Sequence, residues 1–258
     1  MSILSKLIKF PIFKRMIPSL GIRLLKILKK NEGYFRIKNT VMYLDFLDPI
    51  DREIILYKEY EDEETQYLII LIKKYQIKKF FDVGSNCGYY SIKLLDEIPE
   101  LDIEAFEPNI EAYSKFKKTI KINSRYSKKI KLYNFGLSNK ESKLKMKFLK
   151  KHGYNQTGGS SVIEDPNYIG NNTFLSNFKI ADKILELKNQ ILCFKIDVEG
   201  HEFYTLQGLI NVFKKNRIIL LIEIYKKNFN KTNNFLKKLG FKSIKIFKKR
   251  ANYFYKNF

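Results

Sequence analysis

From Ile77 onward, short apolar runs alternate with amphipathic stretches along the chain. The apolar runs have the length and the Ile, Val and Phe content of buried strands, and they lie at 79–83, 103–107, 130–135, 191–197 and 217–224. The stretches between them repeat apolar residues at helical spacing and predict helices at 89–96, 110–123 and 202–215. Such alternation is typical of an α/β fold with a mostly parallel sheet covered on both faces.

Both ends of the chain depart from this alternation. Residues 32–47 alternate between polar and apolar positions and predict a β-hairpin that turns near Lys38. Residues 241–248 and 251–257 predict a second hairpin, antiparallel and on the edge of the sheet. We therefore expect residues 1–58 to form a cap of a basic segment and a hairpin, and residues 59–258 to form the main domain.

Residues 140–186 form the least regular part of the pattern. They are rich in Gly, Asn and Ser and predict a long loop, of the kind that often serves as a lid or a substrate wall. The acidic run at 59–64 precedes an apolar stretch and predicts the solvated first turn of a helix.

Composition narrows the classes of function. The formal net charge is +22, but only seven of the 49 basic residues are Arg, and the lysines are spread along the whole chain. A nucleic-acid surface favours Arg, so this distribution argues against nucleic-acid binding. The two cysteines, Cys87 and Cys193, are too few for a disulfide framework and indicate a reducing, cytoplasmic compartment.

Residues 1–30 carry eight basic side chains and no acidic one, interleaved with Ile, Leu and Phe. This pattern favours a helical cap on the domain; the alternative is peripheral contact with the inner face of an anionic membrane. Lysines interrupt any apolar region that a signal peptide would need. No apolar run reaches about 18 residues, so no membrane-spanning helix is predicted.

The first predicted strand leads into a glycine-containing turn, FFDVGSNCGYYSI. Asp82 closes the strand, and Gly84 and Gly88 let the backbone approach a ligand and let the next helix start close to the strand. Glu107 ends the following strand, nineteen residues after Gly88. An acid at this position can accept both ribose hydroxyls of an adenosine-containing cofactor.

The turn differs from the dinucleotide fingerprint, because the third glycine is absent and Asp82 would repel a pyrophosphate. This argues against a nucleotide-sugar dehydrogenase. An adenosine cofactor that has an ammonium group and no phosphates fits Asp82, and S-adenosylmethionine has this chemistry. The alternative is that Asp82 only caps the following helix.

Four segments, FFDVGSNCGYYSI, AFEPN, NFGLS and FKIDVEGHE, occur in this order between about residues 80 and 225. Together they resemble the FkbM-type family of S-adenosylmethionine-dependent methyltransferases, and KEYEDEETQYL before them resembles its lead-in helix. The resemblance implies a class I methyltransferase fold, which is Rossmann-like, with seven strands of which the last two form the antiparallel edge hairpin. Residues 1–30 have no counterpart in it.

The resemblance also implies which residues hold the cofactor. The residues implied on the methionine side are Asp82, Gly84, Ser85, Asn86 and Gly88. Those implied at the ribose are Glu107 and Pro108. The stretch 134–138, with Gly136, Leu137 and Ser138, is implied beside the adenine.

The segment FKIDVEGHE places Asp197, Glu199 and His201 where the fourth strand ends, next to the expected methyl group. Methyl transfer requires alignment of the acceptor oxygen, and a hydroxyl acceptor also benefits from a base. His201 has the ordinary pKa of a base at neutral pH, Asp197 could contact the methionine ammonium or the acceptor, and Glu199 could orient His201 or bind a sugar hydroxyl.

Several alternatives remain open at this end of the chain. Asp197 could merely cap the next helix, Glu202 is expected to be a solvated first-turn residue, and His152 on the lid could supply the base instead. Asp197, Glu199, His201 and Glu223 could bind a divalent cation; the sequence permits such a site but does not require it, so no metal is predicted.

These observations predict an S-adenosylmethionine-dependent O-methyltransferase that acts on a hydroxyl of a sugar or a glycan-related metabolite. The acceptor class depends on the family resemblance and on the polar residues of the lid. The alternative from another class is a non-catalytic basic module that binds RNA or an anionic membrane surface, with a salt-sensitive affinity. The oligomeric state is left open.

Overall fold

The computed structural model describes residues 31–151, 154–165 and 167–258. Within them the strands are β1 (Glu32–Ile37), β2 (Thr40–Asp45), β3 (Lys79–Val83), β4 (Asp102–Phe106), β5 (Ile130–Tyr133), β6 (Gly136–Leu137), β7 (Ser142–Lys151), β8 (Tyr154–Val162), β9 (Thr173–Lys179), β10 (Ile191–Ile196), β11 (Arg217–Glu223), β12 (Lys242–Phe247) and β13 (Asn252–Lys256). The helices are α1 (Pro49–Tyr57), α2 (Asp62–Lys74), α3 (Tyr89–Glu97), α4 (Ile110–Ile122), α5 (Ser124–Ser127), α6 (Ala181–Ile184), α7 (Glu202–Gln207), α8 (Ile210–Lys215) and α9 (Phe229–Lys238). No helix in this part of the chain has the length and apolar character needed to cross a membrane.

Seven strands form a central mixed sheet in the order β12-β13-β11-β10-β3-β4-β5. The five strands from β11 to β5 run parallel, whereas β13 is antiparallel to β11 and β12 is antiparallel to β13. The predicted α/β fold is therefore confirmed, and the two C-terminal strands lie at the sheet edge where the hairpin was expected. The carboxyl ends of β3, β4, β10 and β11 meet on one side of the sheet.

Side chains of the inner strands β3, β10 and β11 are buried on both faces, because helices cover each face of the sheet. On β3, the adjacent residues Phe80 and Phe81 point to opposite faces and enter separate hydrophobic clusters. Helices α2, α3 and α4 cover the Phe80 face, and α7, α8 and α9 cover the Phe81 face. The Phe81 ring stacks on Phe194 of β10 at a centroid distance of 4.4 Å.

Strands β1 and β2 form the N-terminal hairpin, which turns at Lys38 and Asn39. The hairpin packs on α4, where the Tyr43 backbone N–H donates to Thr119 Oγ1 at 2.9 Å. The basic segment that precedes it, residues 1–30, lies outside the described residues, and so does His152.

The prediction of a long loop at residues 140–186 is wrong. Strands β7, β8 and β9 lie here and form a four-stranded sheet with β6, in the order β6-β9-β7-β8. The signal that was missed is the sequence SKLKMKFLKK of β7, in which Lys alternates with apolar residues, as expected for a strand with one buried face. The Gly and Ser content of β8 obscured it. We call this element the lid sheet.

The prediction of a single helix at residues 202–215 is also wrong, because the chain divides into α7 and α8 at Gly208. The backbone here lies directly against β6: a Cβ at Gly208 would overlap the Ser138 carbonyl oxygen. The Gly208 carbonyl also accepts the Asp182 N–H at 2.8 Å. These contacts fix the chain close to the end of β6 and interrupt the helix.

Candidate active site

A cleft opens where β3, β4, β10 and β11 end, and the lid sheet forms its roof. Its empty volume, counted out to its open mouth, is about 970 Å³. Of the predicted site residues, those that line it are Gly84, Ser85, Asn86, Glu107, Pro108, Gly136, Leu137, Asp197, Glu199 and His201. Three predicted residues, Asp82, Gly88 and Ser138, do not line it.

The turn after β3 is held close to the end of β10. Gly84 has φ +78°, and a Cβ there would overlap the Asp197 carbonyl oxygen, so no other residue fits without a backbone shift. Gly88 has a structural role, since a Cβ there would overlap the Phe116 ring where α3 packs on α4. The first glycine thus shapes the cleft and the second shapes the helix packing behind it.

Glu107 lies at the end of β4 with only 6% of its surface exposed, and its carboxylate faces the cleft. Its two oxygens accept the backbone N–H groups of Asn86 and Asn109, each at 2.8 Å. Burial raises the pKa of Glu107 to about 7, although the two N–H donors oppose this change. The carboxylate is therefore fixed in orientation, and each oxygen retains a lone pair for a further donor.

Asp82 is fully buried below the floor of the cleft. Its Oδ2 accepts the Ser91 hydroxyl at 2.6 Å, and its Oδ1 lies 3.9 Å from Lys195 Nζ. Burial raises the pKa of Asp82, while Lys195 and Ser91 lower it. Direct contact between Asp82 and a ligand ammonium, as the sequence indicated, is not what this geometry provides: Lys195 lies beside Asp82 and reaches the cleft itself.

Lys195 was not predicted as a site residue. It interrupts the apolar run ILCFKI of β10, and this interruption was the signal available in the sequence. Its Nζ donates to Asp197 Oδ2 at 3.1 Å and to the Gly84 carbonyl at 3.4 Å. Burial favours the neutral amine, but the carboxylates of Asp197 and Asp82 outweigh it and raise the pKa of Lys195. Lys195 therefore supplies a buried positive charge under the cleft.

Three carboxyl groups converge above Lys195. Oxygen atoms of Asp197, Glu199 and Glu223 lie within 4.8 Å of one another, and no ion is present. Burial and the charge of Asp197 raise the pKa values of Glu199 and Glu223, while the Tyr225 hydroxyl donates to Glu199 and partly opposes the shift. We call these three residues the carboxyl cluster. Glu199 and Glu223 therefore hold their protons more tightly than exposed carboxyl groups do.

His201 is buried in the wall of the cleft, between Phe178 and Tyr204. Its Nε2 lies 2.9 Å from Ser138 Oγ, which explains why Ser138 points away from the cleft, and its Nδ1 has no partner within the described residues. Burial lowers the pKa of His201 to about 4. The ring is therefore neutral at physiological pH, in contrast to the expectation of an exposed or ordinary histidine.

Three acidic residues were wrongly predicted to be solvated. Glu64 on α2 is buried, with 5% of its surface exposed. Glu202 is buried and accepts the Gly200 N–H at 2.7 Å. Glu61 lines the cleft with a largely buried side chain, accepts the Tyr90 hydroxyl at 2.6 Å and lies 3.4 Å from Arg250. These partners are far from Glu61 in sequence, so its acidic run resembled an ordinary helix start.

The segment 140–186 was expected to act as a lid, but the residues that line the roof were not predicted, since the whole segment was assigned to a loop. Side chains and backbone of the lid sheet line it from above, namely Met146, Thr157, Gly158, Ser160, Val162 and Phe178. Asn109, which follows the Glu107 strand, donates to Ser160 at 2.9 Å and ties the roof to the central sheet. The cleft is thus a narrow site between two sheets.

Comparison with known proteins identifies the family. Residues 82–243 match the model of the methyltransferase FkbM domain. No curated protein matches the sequence. Among solved structures, methyltransferase FkbM from Methylobacillus flagellatus KT is similar at 14% identity and a TM-score of 0.48, over 70% of this chain and 43% of that one. The chain thus spans less than half the length of that protein.

Two further solved structures show similarity to this chain. One is precorrin-6y C5,15-methyltransferase from Geobacter metallireducens GS-15, with 12% identity, a TM-score of 0.41 and coverage of 76% of this chain and 86% of that one. The other is M. jannaschii TYW2 in complex with AdoMet, with 14% identity, a TM-score of 0.45 and coverage of 88% and 84%. The family match extends from the glycine turn to the strand that follows α9, and the chain therefore belongs to the FkbM methyltransferase family.

Proposed function

We propose that this protein is an S-adenosylmethionine-dependent O-methyltransferase that methylates a hydroxyl group of a sugar or a glycan-related metabolite. The observation that carries the proposal is one cleft in which Glu107, the glycine turn and the carboxyl cluster face each other. The family match favours this function over a nucleotide-sugar dehydrogenase and over a non-catalytic basic module.

The polar atoms of the cleft fit the proposed cofactor. Within the described residues, Ser85 Oγ and Asp197 Oδ1 are buried without a hydrogen-bond partner, and both residues line the cleft. The ammonium group of the cofactor and the hydroxyl of the acceptor offer the donors that these oxygens lack. We assign Glu107 to the ribose, the turn from Gly84 to Asn86 to the methionine part, and Leu137 to the adenine.

The bound cofactor would supply a methyl group on a sulfonium. The protein has to align the acceptor oxygen with it and to remove the proton of the hydroxyl. Asp197 of the carboxyl cluster suits the second task, because it lines the cleft, whereas the raised pKa values of Glu199 and Glu223 keep these two neighbours protonated. His201 is less suited to it, since burial lowers its basicity and Nε2 is already bonded to Ser138.

The acceptor class is supported by the surroundings of the carboxyl cluster. Tyr60 and Tyr90 line the same cleft as Glu61 and the cluster, so carboxyl groups and aromatic rings lie side by side. Carboxyl groups bind several hydroxyls at once, and aromatic faces cover the apolar side of a sugar ring. A polyhydroxylated acceptor fits this combination.

Calorimetric titration with S-adenosylmethionine tests the cofactor assignment. Wild-type protein is expected to bind it, Glu107→Ala is expected to lose binding, and Glu104→Ala on the same strand serves as the control that lies outside the cleft. A folded wild-type protein that does not bind would refute the proposal. A screen of sugars, read out as release of S-adenosylhomocysteine, then tests the acceptor class separately.

A further inference from the structure

The lid sheet has an outer face that differs sharply from the inner face over the cleft. On β7, Lys143, Lys145 and Lys147 occupy alternate positions and leave the same side of the strand, while Met146 between them is buried against the cleft. On β9, Leu175 is paired with Lys145 and is exposed. The term basic lid face is used here for Lys143, Lys145, Lys147, Leu175 and Lys179.

The charge of this sheet has a single sign. Strands β7, β8 and β9 contain six lysines, five on β7 and one on β9, and no Asp or Glu. In the part of the chain that the structure describes, no ion pair involves Lys143, Lys145 or Lys147, whereas Lys183 nearby pairs with Glu141 at 3.4 Å. These three lysines are therefore not held in direct ion pairs and remain free to bind an anionic partner.

Aliphatic side chains protrude next to these lysines. Leu175 is 69% exposed, and Ile169 is 92% exposed. Lys147 Nζ lies 5.2 Å from the ring centroid of Tyr168. The loop that carries Ile169 therefore lies beside the row formed by Lys143, Lys145 and Lys147, which we call the lysine ladder. Exposed aliphatic side chains beside a row of lysines are the combination that interfacial membrane-binding surfaces present.

We infer that the basic lid face is a docking surface for an anionic lipid membrane. Lysines attract anionic headgroups, and protruding aliphatic side chains insert at the boundary of the acyl region. A nucleic-acid surface would instead favour guanidinium groups and exposed aromatic rings, and strands β7, β8 and β9 contain no Arg. The inference does not depend on the identity of the acceptor.

Docking would act on the site directly, because the same strands supply both surfaces. Met146 and Phe178 line the cleft from the inner side of the strands that carry the basic lid face. A membrane on the outer side would hold the roof of the cleft at the lipid surface. The protein would then work beside acceptors that are concentrated there.

Vesicle sedimentation of the full chain tests the inference. Wild-type protein is expected to bind phosphatidylcholine vesicles that contain phosphatidylglycerol and to leave pure phosphatidylcholine vesicles unbound. The triple variant Lys143→Gln, Lys145→Gln and Lys147→Gln is expected to lose about tenfold or more in the partition coefficient. Its matched control replaces the exposed lysines 214, 215 and 237, which lie on α8 and α9, by Gln and is expected to bind like wild type.

The aliphatic contribution is tested without a change of charge. The double variant Ile169→Ser and Leu175→Ser is expected to weaken vesicle binding several-fold, with thermal unfolding like that of wild type. Equal losses in the ladder variant and in the control variant would overturn the inference, because binding would then follow net charge alone. Vesicle binding that persists in the ladder variant, or binding to single-stranded RNA without binding to vesicles, would overturn it as well.

Discussion

Thr157 on β8 donates both its backbone N–H and its hydroxyl to Asp48 Oδ2, each at 2.8 Å. Asp48 is the N-cap of α1, where its Oδ1 accepts the Ile50 N–H at 3.0 Å. The Thr157 hydroxyl also accepts from Lys115 Nζ at 3.0 Å and lies 3.0 Å from the Asn86 side chain. One buried hydroxyl thus joins the lid sheet, the first helix and the glycine turn of the cleft.

This relationship predicts a loss of both stability and cofactor affinity in Thr157→Val. The substitution keeps the shape and removes the hydroxyl, which leaves polar atoms of Asp48 and Lys115 without that partner. We expect the free energy of unfolding to fall by about 1–3 kcal/mol in urea denaturation. Binding of S-adenosylmethionine should weaken several-fold because Asn86 loses its contact with the roof.

Thr173→Val on β9 is the matched control for this substitution. Thr173 pairs with Lys147 at the end of the lid sheet, away from Asp48. Its replacement by Val is expected to change the free energy of unfolding by less than about 0.5 kcal/mol. Similar losses in the two variants would show that the network around Thr157 has no special weight.

Lys195 is expected to be indispensable for folding as well as for the site. Lys195→Met leaves the buried carboxyl groups of Asp82 and Asp197 without their cation, so the free energy of unfolding should fall by about 3–5 kcal/mol. Adding Asp82→Asn to this variant should restore part of the loss, because one of the two carboxylates is then removed. Lys131→Met, at an exposed position of β5, should be close to neutral in the same urea titration.

The site residues that could be predicted from the sequence are those that local sequence patterns identify. Gly84 and Glu107 follow apolar strands that are recognisable on their own, and parallel strands necessarily bring their carboxyl ends together. Glu61 could not be found in this way, because its burial depends on Tyr90 and on Arg250, 189 residues away. His201 was recognised as a site residue, but its low pKa results from packing against Phe178, which no local pattern reports.

The lid sheet shows a different reason for failure. The β8 sequence, YNQTGGSSV, has a composition that favours turns. It nevertheless forms a strand because it pairs with β7, and its small residues allow close packing over the cleft. Gly158 packs so closely on Ile50 that a Cβ there would overlap that side chain. Gly and Ser allow β8 to pack closely on a neighbouring element, but the same residue types are typical of loops, so the sequence alone favours a loop. The alternation of Lys and apolar residues in β7 indicated a strand, but the sequences of its partner strands β8 and β9 did not.

The assignment of the proton acceptor predicts opposite results for two variants. Asp197→Asn is expected to reduce kcat by about 10²-fold or more, because the carboxyl cluster loses the member that is assigned to accept the proton. His201→Gln is expected to retain kcat within about tenfold, and the wild-type pH profile should show no inflection near 6.5 from this residue. Both rates are measured as S-adenosylhomocysteine release with an acceptor from the sugar screen. A large loss in His201→Gln with unchanged cofactor affinity would instead make His201 the base.

Glu202 predicts a pH dependence of stability with a definite sign. Burial raises the pKa of Glu202 from 4.5 to about 7, so the folded state prefers the protonated acid. The stabilisation is fully present below pH 4.5 and is lost as the pH rises through 7. Glu202→Gln still offers an oxygen to the Gly200 N–H but cannot ionise, and it should lack this loss.

Urea titrations at several pH values measure this effect. Between pH 5 and pH 8 the free energy of unfolding of wild type should fall, relative to that of Glu202→Gln, by up to about 3 kcal/mol. The exposed residue Glu63 on α2 provides the control, since Glu63→Gln should follow the wild-type pH dependence. Parallel curves for wild type and Glu202→Gln would contradict the raised pKa.

Metal independence is the prediction that separates the carboxyl cluster from a divalent-cation site. Asp197 already has a cationic partner, Lys195 Nζ at 3.1 Å, and Glu199 and Glu223 hold protons rather than offering two further negative charges at neutral pH. A divalent cation would have to displace these protons and approach a fixed ammonium group. Treatment with excess EDTA followed by dialysis is therefore expected to leave the methyl-transfer rate within about twofold of its starting value. A larger loss that magnesium restores, and that Glu223→Gln prevents magnesium from restoring, would instead make the cluster a metal site.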